Sequence, residues 1–188
     1  PQIVAFAGSN RRGSLNRQAL SLAVAGAQAA GAEVVTLDLR DFPMPIYDAD
    51  WHQANGVPES VRLMRRVMIK AQGLLIASPE YNASITPLLK NTIDWLSQDV
   101  DGESGTLPFH NKAVGLMGAS NGAFGTIRSL PHVSYILSNL GAIVLPVLAV
   151  PQASSLFNSD GGIQDTRKAQ QLQTLGSNVA RFAHLGSG

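Results

Sequence analysis

Five short apolar runs rich in Val and Ile alternate with five stretches of helical spacing, and few folds accommodate that order. The runs fall at residues 3–7, 34–39, 74–77, 113–117 and 143–150. Between them, Leu15, Ala19, Ala23 and Ala27 recur at helical intervals, as do Val61, Met64, Arg65 and Met68, and then Leu89, Ile93 and Leu96. A fourth helix is expected over about 123–140 and a fifth over about 164–184. Such alternation gives a parallel sheet, because each crossover needs a helix to bring the chain back to the same edge. Helices then cover both faces, which is why the strand runs are apolar throughout.

A chain of 188 residues, 45% of them hydrophobic, is read as one domain with a substantial core. Fourteen basic and thirteen acidic residues leave a formal charge of +1, with no run of like charges to serve as a nucleic-acid arm. Cysteine is absent, which removes disulfides, thiol nucleophiles, Cys-ligated zinc and iron–sulfur clusters and fits a cytoplasmic address. The start, PQIVAFAGS, lacks the charged flank and long apolar stretch of a signal peptide. Residues 141–150 are the most apolar later segment, but they contain Pro146 and are too short to span a bilayer. A soluble protein with no membrane partner is expected, and the closing LGSG reads as flexible. His52, His110, His132 and His184 show no metal-binding spacing and read as surface or packing residues, so no metal site is expected.

In a doubly wound sheet, ligands bind outside the carboxyl ends of the strands near the switch point. Three loops are therefore singled out. The first is GSNRRGSLN, residues 8–16, where the Ser14 side chain is expected to cap a helix starting at Leu15 and leave backbone N–H groups aimed at the bend. Ser9, Ser14 and Asn16 add neutral donors and Arg11 a cation, a set suited to a phosphate monoester; an ordinary capped turn is the alternative. The loop is neither a Walker A sequence nor GxGxxG.

The second loop, SPEYNASITP, precedes a helix that Thr86 should cap and Pro87 should open. Its Tyr81 can cover a flat ring and its backbone and Asn82 amide can bond a ring edge; otherwise Tyr81 and Ile85 pack under the loop and Glu80 is solvated. The third loop, GASNG at residues 118–122, matches GxSxG and raises a serine hydrolase with Ser120 as nucleophile, Asp160 or Asp165 and His184. One helix over 164–184 would hold Asp165 and His184 roughly 28 Å apart, which disfavours a triad. The preferred reading is a loop of small residues whose N–H groups approach a ligand ring, with an ordinary tight turn as the alternative.

Together GSNRRGSLN, PEYNASITPLLKNTIDW and GASNGAFGTIR resemble the NADPH-dependent FMN reductase family of flavodoxin-like flavoproteins, which includes quinone, azo-dye, ferric and chromate reductases. The resemblance implies an α/β three-layer sandwich, a five-stranded parallel sheet of order 2-1-3-4-5 with helices on both faces, as one FMN-binding domain over 1–188. By that resemblance Ser9, Arg11, Ser14, Leu15 and Asn16 hold the FMN phosphate, and Pro79, Glu80, Tyr81 and Asn82 contact the isoalloxazine and ribityl chain. Ser120, Asn121 and Gly122 border the pyrimidine side of the ring. Family members often carry a second glycine where this chain has Thr126. The implied reaction is hydride transfer from NADPH or NADH to FMN and on to a small-molecule acceptor such as a quinone, an azo dye, a ferric complex or chromate, with no catalytic side chain required. Similar proteins are homodimers or homotetramers, and a homo-oligomer is implied here.

The resemblance leaves two other flavin or nucleotide roles to separate, a flavodoxin-like electron carrier and a non-enzymatic binding module. Flavodoxins are usually strongly acidic, unlike this chain. The longer loops 40–56 and 98–111 are long enough to pack on a partner or serve a function. In the former, Tyr47 and Trp51 are expected to pack; Arg128 and Tyr135 suit either a subunit interface or a solvated helix face.

Overall fold

The computed structural model describes residues 1–185; the expectation for the closing Gly-Ser-Gly lies outside them. Its strands are β1 (Gln2–Ala7), β2 (Glu33–Leu37), β3 (Gly73–Ala77), β4 (Ala113–Ala119), β5 (Ile143–Val144) and β6 (Leu148–Val150). The helices are α1 (Leu15–Ala29), α2 (Ala49–Asn55), α3 (Glu59–Lys70), α4 (Pro87–Leu96), α5 (Leu130–Asn139) and α6 (Thr166–Leu185). All pairings are parallel, in the order β2-β1-β3-β4-β5, with β6 also on β4. This is the flavodoxin-like order, whose switch point lies between β1 and β3.

Alternate residues of each strand feed two cores. Ile3, Ala5, Ala7, Leu75, Ala77 and Met117 pack with α1 and α6 on one face. Val4, Phe6, Leu74, Ile76, Val114 and Leu116 pack with α3, α4 and α5 on the other. Helix α3 buries Val61, Met64, Arg65 and Met68, the four residues its spacing placed on one side. Arg65 is not a misplaced charge: its guanidinium donates to the carbonyls of Leu96 (2.9 Å), Gln98 (3.2 Å) and Ser104 (2.7 Å), organising the long loop after α4.

Three boundaries differ from expectation. The fifth strand is interrupted, because Pro146 has no N–H for the ladder and breaks it into β5 and β6. The fourth helix starts at Leu130 and not near Ala123, since Pro131 is tolerated only in a first turn and the preceding Gly125 and Thr126 have φ of 53° and 72°. Residues 40–56 are not a plain loop: Asp48 accepts the Trp51 N–H at 2.9 Å and starts α2. Among the described residues no helix is long and apolar enough to cross a membrane.

Candidate functional site

Loops following β1, β3 and β4 meet at the carboxyl edge of the sheet. Ala7, Ala77 and Met117 stand level across these adjacent strands, so the first and third loops begin two strand spacings apart, about 10 Å.

In the first loop, Ser9 and Ser14 are buried and Arg11 is exposed, its Nη2 donating to the Gly13 carbonyl at 3.1 Å. The Ser9 hydroxyl accepts the Arg11 N–H at 3.3 Å. Ser14 occupies the N-cap position of α1, but its side chain makes no cap bond, contrary to expectation. The Arg17 N–H, one of the two such a hydroxyl could accept, donates instead to the Ser14 carbonyl at 3.1 Å. The backbone N–H groups of Gly13, Ser14, Leu15 and Asn16 have no partner among the described residues, and no acidic side chain stands in the first turn. Those unpaired donors and the positive end of a 15-residue helix create a cradle for an anion.

The Asn16 side chain does not face that cradle as a donor. Its carboxamide pairs with the backbone of Ala119, Nδ2 donating to the carbonyl at 3.0 Å and Oδ1 accepting the N–H at 2.9 Å. Asn16 thus ties the start of α1 to the end of β4, across 103 positions of sequence. What it offers an anion is its backbone N–H.

The second loop opens as expected at its far end. Thr86 Oγ1 accepts the Leu89 N–H at 3.2 Å, caps α4, and donates to the Gly8 carbonyl at 3.0 Å, joining the second loop to the first. Its tip is a two-residue hairpin: Tyr81 and Ser84 exchange two backbone bonds of 3.1 Å around Asn82 and Ala83, whose φ values are 52° and 62°. Tyr81 is half exposed, while Ile85 packs on the core of the α4 face. Glu80 is not solvated: its side chain is 9% exposed and paired with Arg128. Arg128 lies in the turn before α5, paired with Glu80 while its side chain stays 55% exposed.

The third loop is anchored to residues 150–154. Ser120 N–H donates to the Val150 carbonyl at 3.2 Å, and Asn121 Oδ1 accepts the Ser154 N–H at 3.1 Å. Glycine is required at 118, where an added Cβ would lie 1.8 Å from Thr126 Oγ1 and 2.7 Å from the Ser78 carbonyl. Thr126 itself sits in the left-handed region, strained for a β-branched residue, which explains why glycine suits that position. Its hydroxyl is buried without a partner among the described residues. The Ser120 hydroxyl has no hydrogen bond among the described residues, and Asp165, just before the 20-residue α6, is separated by nearly its whole length from His184 near the far end, so Asp165 and His184 form no triad with it.

One feature at this edge escaped the sequence reading and one did not. Tyr47 and Trp51 do pack as expected, edge-on to Trp95 with centroids 4.9 and 5.9 Å away, while Trp95 Nε1 donates to the Pro45 carbonyl at 2.7 Å. Less expected, Asp38 at the end of β2 receives both Arg17 (Nη1 and Nη2, each 2.8 Å) and Arg40 (2.6 Å). The Arg17 guanidinium also reaches the Ser9 carbonyl at 3.4 Å, so this network steadies the first loop. Only an acidic residue closing a strand run hints at it in the sequence.

Hydrogen bonds from Arg40 and then Arg17 hold the Asp38 carboxyl well below the usual carboxylate range, against a smaller opposing effect of burial. A depressed carboxyl stabilises the fold fully above its unfolded pKa of about 3.9 and loses that contribution as pH falls toward the folded value. Asp38→Asn is therefore expected to denature more easily than wild type by a constant margin above about pH 5, a margin that narrows steadily below about pH 4. Urea denaturation across that range checks it; a margin unchanged in acid would show that the charge is not its source.

Comparison with known proteins agrees with this geometry. The family model for NADPH-dependent FMN reductases matches residues 1–155. An NAD(P)H-dependent FMN reductase of Pseudomonas aeruginosa is 34% identical over 180 residues, covering 93% of this chain and 92% of that protein. A quinone reductase of Escherichia coli is 36% identical over 145 residues, covering 77% and 73%. In fold, the chain is similar to FerB, a flavoenzyme NAD(P)H:(acceptor) oxidoreductase from Paracoccus denitrificans, with a TM-score of 0.80 at 23% identity and 97% of each chain covered. With most of its length matched by the family model, and with the three loops at the strand ends where a doubly wound sheet binds its ligand, the chain belongs to the NADPH-dependent FMN reductase family.

Proposed function

We propose that this protein is an FMN-dependent oxidoreductase that takes hydride from NADPH or NADH and passes electrons to small acceptors, quinones foremost, with azo dyes, ferric complexes and chromate as further candidates. The observation that carries the reading is the set of four unpartnered N–H groups at residues 13–16, at the same carboxyl edge of the sheet as the hairpin and third loop, in a chain of this family. The residues suit FMN. A phosphate monoester needs several donors and no nearby carboxylate, which is what the start of α1 offers, with the Ser9 and Ser14 hydroxyls and Arg11 beside it.

When bound, FMN supplies the hydride-accepting and electron-relaying chemistry. The chain's residues hold and expose it. Pro79, Glu80, Tyr81 and Asn82 form one wall for the ring, chiefly through backbone, and Ser120, Asn121 and Gly122 form the other. Leu15 and Asn16 offer backbone N–H groups to the phosphate. No acid or base is invoked, because hydride transfer to a flavin in a fixed stack depends on proximity and orientation. We place the whole chain, 1–188, in one FMN-binding domain, working in the cytoplasm as a homodimer or homotetramer, as the family resemblance implies.

The purified protein is expected to be yellow, or to become so with added FMN. NADPH or NADH should bleach it without air, and a quinone should restore the colour. A protein that never takes up FMN overturns the reading; one that takes it up but is not bleached by either nicotinamide is an electron carrier or a binding module.

A further inference from the structure

We propose that Glu80 and Arg128 are positioning residues for the flavin: with Ser84 and His132 they clamp hairpin 80–84 onto the start of α5 and so fix one wall of the ring site against the other. The proposal rests on the FMN reading above.

The hairpin cannot hold its own shape. It has two backbone bonds, and its turn places Asn82 and Ala83 in succession in the left-handed region, where alanine lacks the freedom of glycine. A pairing of that size is not stable alone in water. Its support comes from α5. The Glu80 carboxylate accepts the backbone N–H groups of Arg128 (3.2 Å) and Ser129 (3.1 Å) and the Arg128 Nε (2.7 Å). At the other arm of the hairpin, Ser84 Oγ lies 3.1 Å from His132 Nδ1, one helical turn further on.

The joint is asymmetric. The Glu80 side chain is 9% exposed and the Arg128 side chain 55%, so the acid is sunk into the contact and the cation lies over it. The guanidinium carbon is also 5.0 Å from the centre of the Phe124 ring, which belongs to the third loop. A carboxylate at the start of α5 complements the helix dipole as well. Because residues 118–129 lead straight into α5, the clamp makes hairpin and third loop move as one body. These are the two walls between which the ring is placed. The sheet and its cores do not depend on the clamp, so its loss should loosen the flavin site while leaving the fold standing.

Three variants test this beside wild type. Glu80→Gln keeps an acceptor for the two backbone N–H groups but no charge for Arg128; Arg128→Lys keeps the charge but loses the fork; Ser84→Ala removes the second pin. FMN affinity is read by quenching of flavin fluorescence, fold stability by urea midpoint, and hairpin order by hydrogen exchange of the Tyr81 and Ser84 amides in the flavin-free protein. Glu80→Gln is expected to raise the FMN Kd about tenfold and speed exchange of both amides, with the urea midpoint nearly unchanged. Arg128→Lys should fall between it and wild type. Wild-type Kd and exchange in Glu80→Gln would overturn the proposal, as would an affinity loss that merely follows a lowered urea midpoint. If wild type takes up no FMN, it is the flavin reading that fails, and amide exchange still decides whether the clamp exists.

Discussion

Asn16→Ala is expected to lower stability by about 3 kcal/mol and to weaken FMN binding well beyond what that loss explains. The Asn16 carboxamide is buried and makes both of its bonds to the Ala119 backbone. Truncation leaves a strand-end N–H and carbonyl in a place closed to water, and unsatisfied buried groups cost about 1–3 kcal/mol each. The effect on the site follows from position. Asn16 is the second residue of α1, so its side chain fixes the helix start that presents the phosphate donors, while β4 carries the third loop. Urea denaturation and FMN titration of the same variant separate the two effects. A stability change under about 0.5 kcal/mol would show that the pairing contributes nothing net.

The second large effect lies away from the site, where α1 crosses α6. A Cβ on Gly176 would stand 1.8 Å from the Ala23 carbonyl oxygen, and one on Gly26 would stand 2.0 Å from the Gln173 carbonyl oxygen. The two backbones touch there, and neither obstacle is a side chain that can swing away. Gly176→Ala adds roughly 1 kcal/mol of helix propensity, yet it forces the helices apart along a face that also buries Ala23, Ala27, Leu172 and Ala180. Overpacking of this kind costs about 1–3 kcal/mol or more, and against backbone the upper end applies, so a net loss of about 2–3 kcal/mol is expected. Gln171→Ala, on the exposed side of the same helix, should change stability by less than about 0.5 kcal/mol. Equal melting temperatures for the two variants would refute the close crossing.

Much of this is legible in the sequence. Apolar runs at 3–7, 34–39, 74–77 and 113–117 are strands, because only a sheet covered on both faces asks for continuous Val, Ile and Leu. Thr86 and Pro87 start α4 where their chemistry said they would, since both act within a few residues of themselves. Pro131 and Pro146 carried equally local information, and reading it more strictly would have placed the start of α5 and the break between β5 and β6.

The interactions that were not legible share one property: their partners lie far apart in the chain. Asn16 looked like a donor for an anion because nothing near it in sequence competes for its amide; folding brings Ala119 alongside and occupies both ends. Glu80 looked solvated for the same reason, until α5 arrives with two backbone N–H groups and a guanidinium. Ser14 shows the opposite case, a local rule not followed: its hydroxyl caps nothing, and its carbonyl accepts the Arg17 N–H. The sequence by itself determined the layers, the strand order by way of family resemblance, and which loops gather at the carboxyl edge of the sheet, because periodicity, turn chemistry and helix starts are settled over a few residues. Only the tertiary structure decided which polar groups in those loops stay unpaired and which hold the loops together, because a hydrogen-bonding group is claimed by whatever partner the finished fold puts within about 3 Å.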